Sequence, residues 1–107
     1  MSDSFVLRNP ATEEVISTLP AATTDDVDRA VARASAASSA WRSVTPADRA
    51  RLMRRFADTV AAHVDELAAL ETANMGMPVG NSRWCANAVA DVLHYFAGAI
   101  DKHTGST

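Results

Sequence analysis

Positive charge is in short supply in this 107-residue sequence. Ten Lys and Arg stand against thirteen Asp and Glu, a formal net charge of −3. A chain that grips nucleic acid or an anionic membrane surface needs a large basic excess to neutralise phosphates, so neither partner is expected. Cysteine is scarcer still. Cys85 is alone, which excludes an internal disulfide. No apolar run comes near the roughly 20 residues that a membrane span requires, and Met1-Ser2-Asp3-Ser4 has neither the basic start nor the apolar core of a signal peptide. A soluble cytoplasmic protein is the expectation. There is no Gly-rich phosphate loop, no G-x-G-x-x-G after a strand and no Ser/His/Asp set. The length suits one domain at most, near the size where burial only just offsets chain entropy.

What the sequence does hold is helix. The stretch Thr45 to Asn74 opens with a hydroxyl at the N-cap, Pro46 at the first helical position and Asp48 facing the positive end of the dipole. Leu52, Met53, Phe56, Val60, Val64, Leu67 and Leu70 then recur every three or four residues, which predicts one apolar stripe around which the flanking segments pack. Around Ala62-His63-Val64 the stripe shifts phase, and Asp65 with Glu66 suit the first turn of a new helix, so a break is expected there. Gly76 is a left-handed stop, and Pro78 confirms it.

Upstream, Phe5-Val6-Leu7 and Val15-Ile16-Ser17-Thr18-Leu19 are β-prone and flank a turn beginning Asn9-Pro10. A lone hairpin is marginal in water, so its edges expect a cover that this chain does not offer as a third strand. Thr23 with Asp26 forms a capping-box pattern, followed by a narrow stripe of Val27, Ala30, Val31, Ala34 and Ala37 or Ser38 that ends on an anchoring Trp41. The last helix is expected to start at Asn81 or Ser82. Its buried face is expected to be Cys85, Val89, Val92, Leu93, Phe96 and Ile100, with Lys102 and His103 at its negative end before Gly105. The fold class is therefore mostly α with one N-terminal β-hairpin, the hairpin over about residues 5–19 and helices over about 24–41, 46–62, 64–75 and 81–104.

No candidate chemistry comes from these residues. Cys85 falls on an apolar stripe, which predicts a packed core thiol; a nucleophile wants a helix N-terminus or a nearby cation. His63, His94 and His103 lack metal-ligand spacing and read as solvated or capping side chains. Arg49, Arg51, Arg54 and Arg55 spread over more than one helix face between Asp48 and Asp58, as a salt-bridged surface does. Glu13 and Glu14 flank the hairpin turn, where carboxylates are usually exposed.

The motifs taken together carry more. Asn9-Pro10-Ala11-Thr12-Glu13-Glu14-Val15-Ile16, Pro20-Ala21-Ala22-Thr23 leading into Asp26-Val27-Asp28-Arg29-Ala30-Val31, and Ala40-Trp41-Arg42 closely resemble the opening of aldehyde dehydrogenases. Arg49-Ala50-Arg51-Leu52-Met53-Arg54-Arg55-Phe56-Ala57-Asp58, Asp65-Glu66-Leu67-Ala68-Ala69-Leu70-Glu71-Thr72, Gly76-Met77-Pro78 and Tyr95-Phe96-Ala97-Gly98 continue it in that family's order and spacing. The resemblance covers Leu7 to Gly105.

It implies an NAD(P)-dependent oxidation of an aldehyde to a carboxylic acid through a thiohemiacetal and a thioester on a cysteine. It also implies that residues 1–107 are the outer part of the Rossmann-like cofactor-binding domain of that α/β fold. The family's oxyanion Asn, its dinucleotide-binding lysine and Gly-rich turn, its general-base glutamate and its nucleophilic cysteine all come later in the chain. Trp84-Cys85-Ala86 lacks the glycine-containing loop of that nucleophile. A fragment of this extent is expected to be inactive alone, to bind no NAD or NADP by itself, and to associate with the remaining polypeptide, with subunits or with itself. Three positions depart from the family: Glu13 stands where Gly is usual, Met77 where Lys is usual, and Asn74 where an acidic side chain helps hold a structural monovalent cation. Backbone carbonyls near Leu7 and Arg8 would complete that metal site, and a neutral Asn74 weakens it. The rival expectation is a free-standing helical interaction module, a truncated remnant that pairs with full-length subunits.

Overall fold

In the computed structural model, which describes residues 3–102, two strands precede four helices: β1 Ser4–Arg8, β2 Val15–Pro20, α1 Thr24–Ser43, α2 Pro46–Ala62, α3 Val64–Met75 and α4 Val79–Ala99. The chain divides into two compact units, Met1–Val44 and Thr45–Thr107.

In the first unit β1 and β2 pair antiparallel, with Phe5 opposite Leu19 and Leu7 opposite Ser17. The register slips by one residue between Leu7 and Arg8, which then faces Val15, so Ile16 is the extra residue of a bulge. Asn9 organises the turn. Its side-chain oxygen accepts from Ala11 N–H at 2.9 Å, its carbonyl from Glu13 N–H at 2.8 Å, and its own N–H donates to Glu14 O at 2.9 Å. Glu13 thereby sits at φ 62°, the left-handed region that a side chain disfavours, and its carbonyl accepts from the Arg8 guanidinium at 3.0 Å. The turn thus keeps a glycine-type backbone while carrying a glutamate. Glu13→Gly is expected to relieve this and stabilise the hairpin by about 0.5–1 kcal/mol, since the left-handed penalty exceeds glycine's added chain entropy. Slower amide exchange over β1 and β2 is the readout; faster exchange contradicts it.

α1 starts on the expected capping box. Thr23 Oγ1 accepts from Asp26 N–H at 3.2 Å, and Asp26 Oδ2 accepts from Thr23 N–H at 2.8 Å. The Asp26 carboxyl is held below its ordinary 3.8 by the Thr23 N–H first, then the Thr23 hydroxyl, then Arg29, with which it forms an ion pair. A depressed folded pKa gives a cap that is fully present above the unfolded value and lost as pH falls through the folded one. The first turn of α1 is therefore expected to fray below about pH 4 in an NMR titration, and Asp26→Asn to abolish that response. A first turn indifferent to acid contradicts it. The helix runs to Ser43, two residues past Trp41, and all of its residues are exposed; Trp41 is half open to solvent and is not the anchor expected of it.

The second unit is built on α4, which packs against both α2 and α3. The organising element is therefore α4, and not the Thr45–Asn74 stretch that the apolar periodicity singles out. α2 starts as expected, with Thr45 Oγ1 accepting from Asp48 N–H at 3.1 Å and Pro46 in the first turn. The break falls at His63, whose φ −114° and ψ 19° interrupt the helix while its ring Nδ1 meets Thr59 O at 2.8 Å. Gly76 closes α3 at φ 72°, its N–H donating to Thr72 O at 3.0 Å. α4 begins earlier than expected. Pro78 itself caps it, and its carbonyl accepts from Asn81 and Ser82 N–H, so Asn81 and Ser82 lie inside the first turn. The helix ends at Ala99, short of residue 104; His103 and Gly105 lie outside the described residues.

The buried face is a correction to the sequence expectation. The core residues are Ala50, Ala57, Ala68, Ala86, Ala90 and Ala97 with Ser82, whereas Val89, Val92 and Phe96 of the expected α4 face are half exposed, as are Leu52, Phe56 and Leu70 of the expected stripe. Periodicity finds the apolar side of each helix, and that side is wider than one seam. The smallest residues fill the seam because they let helix backbones approach closely, leaving the large ones turned outward. Ser82 is fully buried and its hydroxyl is bonded to Thr72 Oγ1 at 3.1 Å, which ties α4 to α3 and satisfies both hydroxyls. Two surface pairs also tie α4 to its neighbours, Arg83–Asp65 at 2.8 Å to α3 and His94–Asp58 at 3.4 Å to α2.

Candidate functional site

A shallow hollow of about 300 Å³ in the second unit is lined by Thr59, Val60, His63, Glu66 and Leu67, but its hydroxyl and its imidazole are both engaged within the helix, Thr59 Oγ1 donating to Arg55 O at 2.8 Å and His63 Nδ1 meeting Thr59 O at 2.8 Å. Two larger hollows lie in the same unit. One, of about 490 Å³, lies at the start of α2 and is lined by Thr45, Ala50, Arg54, Ala97, Asp101 and Lys102. Asp101 accepts from Lys102 Nζ at 2.8 Å, and that contact holds its carboxyl below the usual carboxylate range. Thr45 is engaged as the cap of α2. The hollow therefore holds an ion pair, a cap and one further cation, with no nucleophile beside a base.

The other hollow, of about 460 Å³, is apolar. Val60 of α2, Leu67 and Glu71 of α3, and Cys85, Ala86 and Val89 of α4 line it. Cys85 is half-buried at this rim and is not the core residue that the stripe predicts. No His or basic side chain lines the hollow with it, and an activated thiol requires one. The remaining exposed side of α4 shows Trp84 and Tyr95, three helical turns apart and about three-quarters open, and the Tyr95 and Phe96 rings meet edge to face at 5.2 Å. The spacing of eleven residues between Trp84 and Tyr95 is a helical one, and both lie off the apolar face expected of α4.

Leu7 and Arg8 belong to β1 in the first unit, and Asn74 to the last turn of α3 in the second, where it is exposed. Among the described residues, no three His, Cys, Asp or Glu side chains gather where they could share a metal ion. His94 pairs with Asp58 and His63 with its own helix, as solvated and terminus-bound histidines do; His103 lies outside the described residues. Of the arginine cluster, Arg51 pairs with Asp48 at 2.7 Å, and the Arg49 Nε is shielded from solvent with no hydrogen-bond partner among the described residues. No described helix is long and apolar enough to cross a membrane.

Among the described residues no glycine-rich phosphate cradle is formed. The sheet described here is a two-stranded antiparallel hairpin, while a pyrophosphate cradle needs a glycine-rich turn from a strand into a helix N-terminus. Gly76 ends α3, and Gly80 and Gly98 lie within α4; none follows a strand.

Residues 1–107 match the sequence model of the aldehyde dehydrogenase family. Among solved structures, the chain is similar to an aldehyde dehydrogenase of Burkholderia cenocepacia, at 38% identity and a TM-score of 0.90 over 97% of this chain and 22% of that one. It is similar to PnpE, solved in complex with nicotinamide adenine dinucleotide, at 36% identity and a TM-score of 0.91, with the same coverage of 97% and 22%. Betaine aldehyde dehydrogenase of Staphylococcus aureus, solved with NAD+, matches at 33% identity and a TM-score of 0.87 over 97% of this chain and 21% of that one. The chain spans about a fifth of the length of the solved structures it matches.

Proposed function

We propose a role that proceeds from one fact: this chain belongs to the aldehyde dehydrogenase family, as its N-terminal portion. Its role is structural support within an enzyme that oxidises an aldehyde to a carboxylic acid with NAD or NADP. The hairpin and helices form an outer layer of the cofactor-binding domain, and the rest of the family fold supplies the dinucleotide site, the nucleophile and the base. The single observation that carries this reading is the outward turn of the large apolar residues Phe56, Leu70, Val92 and Phe96 around a seam of alanines, because a layer that is complete in itself buries its largest side chains first. The chemistry of the hollows agrees, since the two larger ones pair no nucleophile with a base and the Thr59 hydroxyl and His63 ring of the third are each bonded to their own helix backbone.

The purified chain is expected to produce no reduced nicotinamide when incubated with NAD or NADP and a panel of aliphatic and aromatic aldehydes. An active aldehyde dehydrogenase run beside it supplies the positive signal. Aldehyde-dependent reduction above the protein-free rate would overturn the supporting role.

A further inference from the structure

We draw no further inference here: the strongest candidate, the apolar hollow between α2, α3 and α4 lined by Val60, Leu67, Cys85 and Val89, is an unpartnered face with a lone thiol, and nothing in the structure shows what covers it.

Discussion

Ala57→Leu is expected to lower the stability of the second unit by about 1–3 kcal/mol or more, enough to unfold much of a marginal three-helix assembly, whereas Phe56→Ala changes it by less than about 1 kcal/mol. The two positions are adjacent in sequence and opposite in consequence. Ala57 has no exposed surface, and α2 packs against α4, whose own buried residues are Ser82, Ala86, Ala90 and Ala97. A leucine there needs room that only a separation of the helix axes can give, and separation also costs the other close contacts along the seam. Phe56 is 59% exposed, so its truncation removes little packing that exists within this chain. Urea unfolding followed by helical circular dichroism measures both changes. A ring truncation more damaging than the overpacked seam would show that the large residues carry the cohesion after all.

The second large effect concerns association. Replacing Phe56, Leu70, Val92 and Phe96 together with glutamine is expected to turn an associating chain into a monomer while keeping its helix content. Glutamine is a good helix former, and all four side chains are exposed, so α2, α3 and α4 lose neither propensity nor seam contacts. What disappears is exposed apolar area of the kind through which copies would adhere. The net charge of −3 gives only weak repulsion between wild-type copies. Sedimentation velocity over a range of loading concentrations separates the two proteins. Equal association of wild type and variant would place the adhesive surface elsewhere.

The ends of the elements were legible in the sequence because they are set by local chemistry. Thr23, Thr45, His63 and Gly76 each mark a boundary through a hydroxyl, a phase shift or a missing side chain, and the structure places boundaries at all four. Pro78 misled for a local reason too. A proline after Gly76 signals a stop for α3, yet its fixed φ also suits a helix start, and α4 begins directly after it. The choice of buried face was not legible, because hydropathy ranks Val92 and Phe96 above Ala90 and Ser82 whatever lies opposite. Only the packing partner decides. When a helix meets another helix of the same small unit, close approach selects the small residues, and the large ones await a different neighbour. Cys85 was misplaced by the same rule, one position from buried Ala86. The glutamate at a left-handed turn position was visible as a departure from the family, but the retention of the turn against its strain depends on the Asn9 hydrogen bonds that only coordinates reveal.

The central claim is that this layer holds itself together by its smallest residues and keeps its largest apolar ones for polypeptide outside it. Fluorescence of the dye ANS with the dilute wild-type chain, followed through a thermal melt, tests that most directly. The account predicts strong dye binding by the folded chain at low temperature, with a broad, weakly cooperative transition. A chain that ignores the dye until it melts in one sharp step would be complete in itself, and the account would be wrong.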